Sequence, residues 1–254
     1  MFANERRNAL LEMLERNQTV TVSELKEKFQ VSIETIRRDL EYLEERHALT
    51  RVHGGAISNR GMARFTKLCE RVSEHTQNKR LLSLTACQYI EEGDFIAVDS
   101  GSTAIEFAKV LAENFHSLSV VTNSPEVFDL LSAKEGFELI ATGGQYLQEE
   151  RAFYGHIALD ALKKLHVSKS FIFPFAISLS LGVSVFHHNL YEIQRAYLDI
   201  ADQPMVLADS SKFEKTAAIR LCSLQTPCRI VTDPALPDEV WQMYLNQSVK
   251  LVRS

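Results

Sequence analysis

The sequence predicts an α/β protein in two unequal parts: a short, charged, helical module and a larger Rossmann-like domain with a mostly parallel sheet. Residues 1–57 show apolar residues at helical spacings of three and four. From residue 79 onward, short apolar runs alternate with helical segments, which indicates βαβ units covered on both faces of a sheet. A chain of 254 residues has room for two such parts.

The N-terminal module is predicted to contain three helices and a β-wing. Ser23 is expected to cap the second helix, and Ser32 the third, after a turn at Gln30 and Val31. The segment ALTRVHGGA then alternates and ends at two glycines, which is typical of a wing. One apolar face of the first helix and one of the third carry the expected core: Ala9, Leu10, Met13 and Leu14, and Ile33, Ile36, Leu40 and Leu43.

Two short helices joined by a tight turn, the second opening with hydroxyls and arginines, are typical of a helix-turn-helix that binds DNA. The alternative is a charged amphipathic helix that is merely solvated. Residues 1–60 hold equal numbers of basic and acidic side chains, so charge alone does not identify a DNA-binding module. Placement favours DNA, because Arg37, Arg38 and Arg51 lie on the third helix and wing while acidic residues crowd toward the end of that helix.

The run SELKEKFQVSIETIRRDLEYLEERHALTRVHGGA resembles the N-terminal winged helix-turn-helix of the DeoR family of bacterial sugar-metabolism regulators. TIRRDL, the following L-E-x-x and R-x-x-G-G-A carry the resemblance. In that family the helix holding TIRRDL is the recognition helix, which implies that double-stranded DNA is a partner. The residues expected to contact it are Ser23, Ser32, Glu34, Thr35, Arg37, Arg38, Arg51 and His53.

Residues 58–78 are polar and weakly periodic, and we interpret them as a linker and the start of a joining helix. The domain at 79–254 then alternates helices and strands. The predicted strands are DFIAVD, LSVVTN, FELIAT, KSFIFPF, QPMVLAD, RIVTD and VKLV. The predicted helices are KRLLSLTACQYI, AIEFAKVLAENF, PEVFDLLSAK, HIALDALKKL, LYEIQRAYLDIA and PDEVWQMYL.

Four of the predicted strands end in small polar loops, where ligands bind in folds of this type. Glycine amides, hydroxyls and a helix N-terminus suit a phosphate group, a lysine adds charge, and a carboxylate can accept from sugar hydroxyls. Such turns are also rich in small polar residues for steric reasons alone. The expected effector-binding residues are Asp99, Ser100, Gly101, Ser102, Thr103, Thr122, Asn123, Gly143, Gly144, Glu192 and Lys212.

The stretches D-S-G-S-T, T-N-S, T-G-G and D-S-S-K-F also resemble, in order, the sensor domain of the DeoR family. That domain is similar in fold to ribose-5-phosphate isomerase-like enzymes and senses phosphorylated sugars. The resemblance implies that a bound metabolite changes DNA affinity, usually by releasing a repressor. Because one winged helix buries little DNA surface, we expect a homo-oligomer, a dimer or tetramer, assembled through the C-terminal domain.

Two alternatives remain open for the larger domain. An isomerase would need a general base, and Asp99 and Glu192 are the carboxylates available by position, but no second acid–base partner is evident, so we expect no enzyme activity. The other alternative is a domain that only oligomerises. Residues 174–177 bring no polar group to the site, and His187 and His188 add bulk, so the effector is either altered or lost.

The composition places limits on other functions. The hydrophobic content of 45% is ordinary for a soluble protein, and no apolar run reaches the roughly 18 residues of a membrane span. With no signal-peptide core at the N-terminus, we expect a cytoplasmic protein without membrane contact. The four cysteines lack zinc-site spacing, so we expect mostly buried thiols, no metal and no cofactor.

Overall fold

A computed structural model describes residues 3–17, 19–45, 48–52, 54–58, 63, 65–226 and 228–254 of the chain. The chain divides into two compact units, residues 1–62 and 63–254. The part of the expected linker from residue 63 to residue 78 therefore belongs to the larger unit. No helix among the described residues is long and apolar enough to cross a membrane.

The smaller unit has the predicted winged helix-turn-helix. Strands β2 and β3 pair antiparallel as the wing, and β1 pairs with the other side of β3. Gly55 has no room for a side chain, because a Cβ there would lie 2.1 Å from the carbonyl oxygen of Val20. The elements are α1 (Ala3–Asn17), β1 (Thr19–Thr21), α2 (Val22–Phe29), α3 (Ile33–Glu45), β2 (Leu49–Val52) and β3 (Gly55–Ser58).

The start of α2 differs from the prediction. Thr21, not Ser23, is the N-cap: its hydroxyl accepts a hydrogen bond from the Glu24 amide at 3.2 Å. The Glu24 carboxylate accepts one from the Thr21 amide at 2.8 Å, which completes a capping box. Because this pair satisfies two amides at once, the helix starts one residue before Ser23. Gln30 ends α2 in a left-handed conformation, in the predicted turn.

The apolar core of the smaller unit joins its three helices to its small sheet. Leu10 and Leu14 of α1 pack with Leu25 of α2 and with most of the predicted face of α3. Ile33 is the exception and was predicted wrongly, since its side chain is 43% exposed. It is the first residue of α3, one turn before the buried Ile36, and so it lies beyond the edge of the core.

The larger unit is built on a seven-stranded sheet in the order β15-β14-β12-β9-β4-β5-β6. Every neighbouring pair is parallel, and these seven strands are the seven predicted ones. Its elements are α4 (Leu68–Arg71), α5 (Thr76–Cys87), β4 (Phe95–Val98), α6 (Ser102–Asn114), β5 (Leu118–Thr122), α7 (Pro125–Ser132), β6 (Phe137–Ala141), β7 (Gln145–Leu147), β8 (Ala152–Tyr154), α8 (His156–Leu162), β9 (Val167–Ile172), β10 (Ala176–Ser178), β11 (Gly182–Val185), α9 (His188–Asp199), β12 (Ala201–Leu207), β13 (Ile219–Cys222), β14 (Arg229–Thr232), α10 (Asp238–Asn246) and β15 (Leu251–Arg253).

Two apolar clusters cover the sheet, as buried parallel strands require. Ile96 and Val98 of β4 belong to the cluster that includes α5, α6 and α7, whereas Ala97 belongs to the one that includes α8, α9 and α10. The alternation follows from the period of two along a strand. Among the described residues of the larger unit, five short strands were not predicted: β7 pairs with β8, and β10, β11 and β13 form a separate antiparallel sheet.

Candidate DNA-binding helix and effector site

The N-terminus of α3 is held by its own hydroxyl side chains. The Ser32 hydroxyl accepts a hydrogen bond from the Thr35 amide at 3.1 Å, which is the predicted cap, and lies 2.8 Å from the Thr35 hydroxyl. Ser32 is exposed, and so is Glu34 in the next turn. This end of the helix therefore presents hydroxyls and amides to solvent on a fixed backbone.

The basic side chains of α3 are exposed and converge with the wing. Arg37 and Arg38 are exposed, and Arg38 makes only a loose pair with Glu34, at 3.7 Å. Ser23, Arg37 and Arg51 line one open hollow of about 550 Å³. The structure thus brings together three predicted DNA contacts from α2, α3 and β2.

Arg51 is positioned by the acidic end of α3. Its backbone amide donates to the Glu44 carboxylate at 3.0 Å, and its guanidinium lies 3.6 Å from Glu41 and 3.7 Å from Glu44. The acidic residues that the sequence places at this end therefore hold the wing against the helix. His53, the other predicted wing contact, lies outside the described residues.

Asp39 is a buried charge that the sequence did not single out. Its carboxylate is 2% exposed and pairs with Nε of Arg6 at 2.5 Å and Nε of Arg7 at 2.8 Å. Arg7 also stacks 3.5 Å from the ring centroid of Tyr42. These contacts join α1 to the middle of α3. Asp39 therefore sets the orientation of the helix whose neighbouring arginines face outward.

In the larger unit, the predicted loops follow the carboxyl ends of β12, β4, β5 and β6. In the sheet, only β9 stands between the first two of these strands. Gly101 is the N-cap of α6, and no side chain caps this helix. Ser100, Ser102 and Thr103 are buried around its first turn. Uncapped amides at a helix N-terminus, surrounded by hydroxyls, suit an anion.

Asp99 is fully buried and has an amide as its partner. Nε2 of Gln194 on α9 donates to the carboxylate at 2.7 Å, and the Phe173 amide lies 3.5 Å away. Burial raises the pKa of Asp99 to about 7, and the hydrogen bond from Gln194 opposes this shift. Glu192 is exposed on α9, so Gln194 rather than Glu192 reaches Asp99.

The loops after β5 and β6 are occupied by internal contacts. The backbone amide of Asn123 donates to the Tyr197 hydroxyl at 3.0 Å, and the side-chain amide of Asn123 donates to the carbonyl of Phe153 at 3.1 Å. The Thr122 hydroxyl accepts from the Ser124 amide at 3.0 Å. A Cβ on Gly144 would lie 2.6 Å from a carbonyl of β8. Asn123 and Gly144 therefore lie against β8, and Gly144 also lies against α8, whereas Thr122 bonds within its own loop. Gly143, by contrast, has open space beside its Cα.

Lys212 meets further cations that the sequence analysis missed. It lies in a 3-10 turn, Ser210–Lys212, and faces a cavity of about 190 Å³ that Arg71 and Lys215 also line. Burial lowers the pKa of Lys212, while the nearby Asp209 opposes the shift. Glu74 lines the same cavity, so three cations face one carboxylate there, and the net positive charge suits an anion. Arg71 lay in the expected linker, and only its charge could have drawn attention to it.

Lys79 lies beneath this cluster. It is 2% exposed, and its Nζ donates to the carbonyl oxygens of Arg71 and Glu74, each at 2.6 Å. Burial lowers the pKa of Lys79 to about 8, and Asp209 opposes the shift. Lys79 fixes the turn between α4 and α5 and thereby places Arg71 at the cavity.

Residues 174–188 bring aromatic rings to the site. Phe175 lies 5.2 Å from Phe186 and 5.8 Å from Phe65 between ring centroids, and His187 lies 4.7 Å from Phe65. His188 stacks instead on Tyr191 of α9. Of the two histidines, only His187 therefore joins the aromatic cluster beside the cavity.

The cysteines and metal-binding groups add no site within the described residues. Cys222 and Cys228 are buried, Cys87 is half-buried and Cys69 is exposed, so burial was predicted correctly for only part of the set. The residues that the structure describes contain no group of three or more side chains arranged to hold a metal ion.

Comparison with known proteins gives matches over most of the chain. A family described as the DeoR-like helix-turn-helix domain matches residues 6–61, and one described as the DeoR C terminal sensor domain matches residues 74–234. The uncharacterized HTH-type transcriptional regulator YulB of Bacillus subtilis is 34% identical over 93% of this chain and 91% of its own. The HTH-type transcriptional repressor GlcR of the same organism is 32% identical over 95% of this chain and 92% of its own.

A more distant relative and a solved structure extend these matches. The glycerol-3-phosphate regulon repressor of Escherichia coli is 27% identical over 99% of both chains. Ribose 5 phosphate isomerase A from Neisseria gonorrhoeae overlays 56% of this chain and 55% of its own, at 14% identity and a TM-score of 0.42. That overlay is too partial to bear on function.

Proposed function

Because the chain belongs to the DeoR family of DNA-binding transcriptional regulators, we propose that it represses carbohydrate-metabolism genes under the control of a phosphorylated sugar or related metabolite bound in the larger unit. Relatives named as repressors include those of the lactose phosphotransferase system and the glycerol-3-phosphate regulon. Another relative is named as an L-fucose operon activator. Repression is therefore the better-supported direction of control.

The observation that carries the effector proposal is the convergence of cations on one small cavity. Arg71 comes from α4, while Lys212 and Lys215 follow β12, so two separate parts of the chain supply the positive charge. Glu74 at the same cavity and Glu150, which pairs with Arg71, balance part of this charge, and an anion can balance the rest. A phosphate monoester supplies that balance and also bonds well to arginine.

The second candidate is a regulator whose sensor has lost sugar binding and serves oligomerisation. The aromatic cluster of Phe65, Phe175 and Phe186 favours it, because these rings stand where a sugar would need polar partners. We propose no catalytic role for the larger unit. The partner of Asp99 is the Gln194 amide, which does not exchange a proton at neutral pH, and Glu192 is exposed.

A binding experiment separates these candidates. The full chain is titrated onto its own upstream DNA at fixed salt, with and without a panel of sugar phosphates. Release of DNA by one compound supports a metabolite-controlled repressor, whereas binding that no compound alters supports the second candidate. Lys212→Ala should lose the response to the compound and keep DNA affinity. Lys163→Ala, an exposed lysine after α8, is the matched control and should respond normally.

The proposed operator geometry requires more than one DNA-binding unit. Specific sites for helix-turn-helix proteins are usually read as two half-sites about one helical turn apart. We therefore propose a dimer or tetramer assembled through the larger unit. Light scattering at working concentration should give twice or four times the chain mass, and a monomer would contradict the assembly.

A further inference from the structure

Arg71, at the C-terminal end of α4, contacts several features at once. Its guanidinium forms an ion pair with the buried carboxylate of Glu150. Its Nε donates to the carbonyl of Thr66 at 2.9 Å, and its Cζ lies 4.4 Å from the ring centroid of Phe175. It also lines the cavity that Lys212 faces. Arg71 therefore stands between a buried carboxylate and a site suited to an anion.

One carboxylate oxygen of Glu150 lacks a hydrogen-bond donor among the described residues. Its side chain is 3% exposed, and Oε1 has no hydrogen-bond partner among the described residues. Nε2 of His187, which also has none there, lies 3.7 Å from that oxygen. Buried polar atoms without partners are uncommon and call for an explanation. A second arrangement of the same side chains supplies one: Arg71 holds the other oxygen, Oε2, and a carboxylate released from Arg71 can close the 3.7 Å gap between Oε1 and His187.

Arg71 ends a segment, residues 65–71, that we call the tether. The tether begins three residues after Met62, the last residue of the smaller unit. Phe65 packs edge-on against His187, with ring centroids 4.7 Å apart. The amide of Leu68 donates to the carbonyl of Glu149 at 3.1 Å. The tether therefore rests on the same two elements that carry Glu150 and His187, so a change in their pairing would alter its support.

We propose that Arg71 is exchanged between Glu150 and the phosphate group of the effector. Without the effector, Glu150 holds Arg71. A phosphate group that enters the cavity beside Lys212 and Lys215 draws Arg71 away, Glu150 pairs with His187, and the tether moves with Arg71. This exchange rests on the proposed function, since it assumes a phosphorylated effector. It explains how an effector bound in the cavity changes the position of the tether, which leads along the chain to the DNA-binding unit.

The size of the cavity selects the probe. Its volume of about 190 Å³ is below the roughly 300–1,000 Å³ of pockets that enclose drug-sized ligands. Phe175 lines the same cavity and limits it on one side. The cavity therefore fits the phosphate end of a ligand, and inorganic phosphate is the minimal probe for the exchange.

The first test uses a matched pair of neighbouring carboxylates. Glu150→Gln keeps an oxygen for Arg71 but removes the charge that competes with phosphate, so the full chain should bind inorganic phosphate about tenfold tighter by calorimetry at fixed pH and salt. Glu149→Gln, an exposed position, should match the wild-type chain. A Glu150→Gln variant that folds, by thermal unfolding, and binds phosphate no tighter than wild type overturns the exchange.

The second test adds an exposed variant and a DNA readout. Lys215→Ala, which should not disturb folding because the side chain is exposed, should weaken phosphate binding several-fold; unchanged binding, or no binding by any variant, overturns the exchange. If a sugar phosphate releases DNA equally from Glu150→Gln and Glu149→Gln, the exchange is wrong and the proposed function stands. If Glu150→Gln binds phosphate tighter but no phosphorylated compound changes DNA affinity, the exchange stands and the proposed function is wrong.

Discussion

The helix α3 and the loop after β4 both carry polar side chains that we propose as ligand contacts, but at opposite exposures. Arg37 and Arg38 stand in solvent, whereas Asp99 and Ser102 are almost completely buried. DNA is a wide ligand that a protein meets from outside, while a small metabolite must be surrounded. The difference teaches that substitutions of the exposed side chains of α3 should cost DNA affinity alone, whereas substitutions at the loop should also change stability and its pH dependence.

Asp39 offers the strongest test of this comparison, because it is a buried charge on a helix whose arginines are exposed. Asp39→Ala leaves the buried guanidinium of Arg6 without that carboxylate. We expect the smaller unit to lose about 3–5 kcal/mol in its free energy of unfolding, measured by denaturant titration followed by circular dichroism. Glu34→Ala, an exposed residue of the same helix, is the control and should change it by less than about 0.5 kcal/mol. A loss of free energy of unfolding as small as that of Glu34→Ala would mean that burial does not distinguish the stabilising charges of α3 from those available to DNA.

Asp99→Asn tests the buried side of the comparison. Because the pKa of Asp99 is about 7 in the folded chain and its ordinary value is 3.8, the folded state holds the proton more tightly. The wild-type contribution is therefore present below about pH 4 and is lost as pH rises toward 7. The wild-type free energy of unfolding, relative to that of Asp99→Asn, should fall by roughly 4 kcal/mol between pH 4 and pH 8.

Urea titrations of both chains across that pH range would check the expectation. The exposed Glu192→Gln supplies the control, since this side chain does not reach Asp99 and its substitution should leave the wild-type pH dependence in place. Parallel curves for the wild-type chain and Asp99→Asn would show that folding does not raise the pKa of Asp99.

Arg38→Ala tests the exposed side and has the smallest expected effect. If Arg38 contacts a base, the binding free energy for the specific DNA site should fall by about 1–3 kcal/mol. If it contacts a phosphate, affinity should fall uniformly across DNA sequences, and the slope of log K against log salt should decrease by about one. The free energy of unfolding should stay within about 0.5 kcal/mol of wild type. Fluorescence anisotropy at several salt concentrations would distinguish the two kinds of contact. Unchanged affinity would place the recognition surface elsewhere on the smaller unit.

The sequence predicted the framework of both units well. All seven strands of the parallel sheet were identified, because burial on both faces makes each of them a continuous apolar run such as FIAV at 95–98. The wing was identified from its alternation and glycines. The strands β10 and β13 were not identified, and the pairing of β13 with β11 depends on contacts distant in sequence.

The candidate site was only partly predictable. Asp99 and Lys212 follow strands directly, so their position along the chain identified them. Arg71 and Glu150 were missed because each lies in a segment without clear periodicity, and only tertiary folding brings them together. The sequence pointed to Glu192 because a carboxylate can act as an acid, a base or a ligand. The helical period of α9 instead turns the amide of Gln194 inward to Asp99.

The contact of Asp39 with Arg6 and Arg7 bears on how members of the family can be recombined. A recognition helix grafted into this chain from a relative would lose its anchor unless the graft kept an aspartate at this position, and a truncation that removed the first seven residues would remove both guanidinium partners. The portable part is therefore the pair of α1 and α3. An engineer who wishes to retarget this protein should move those two helices as one cassette.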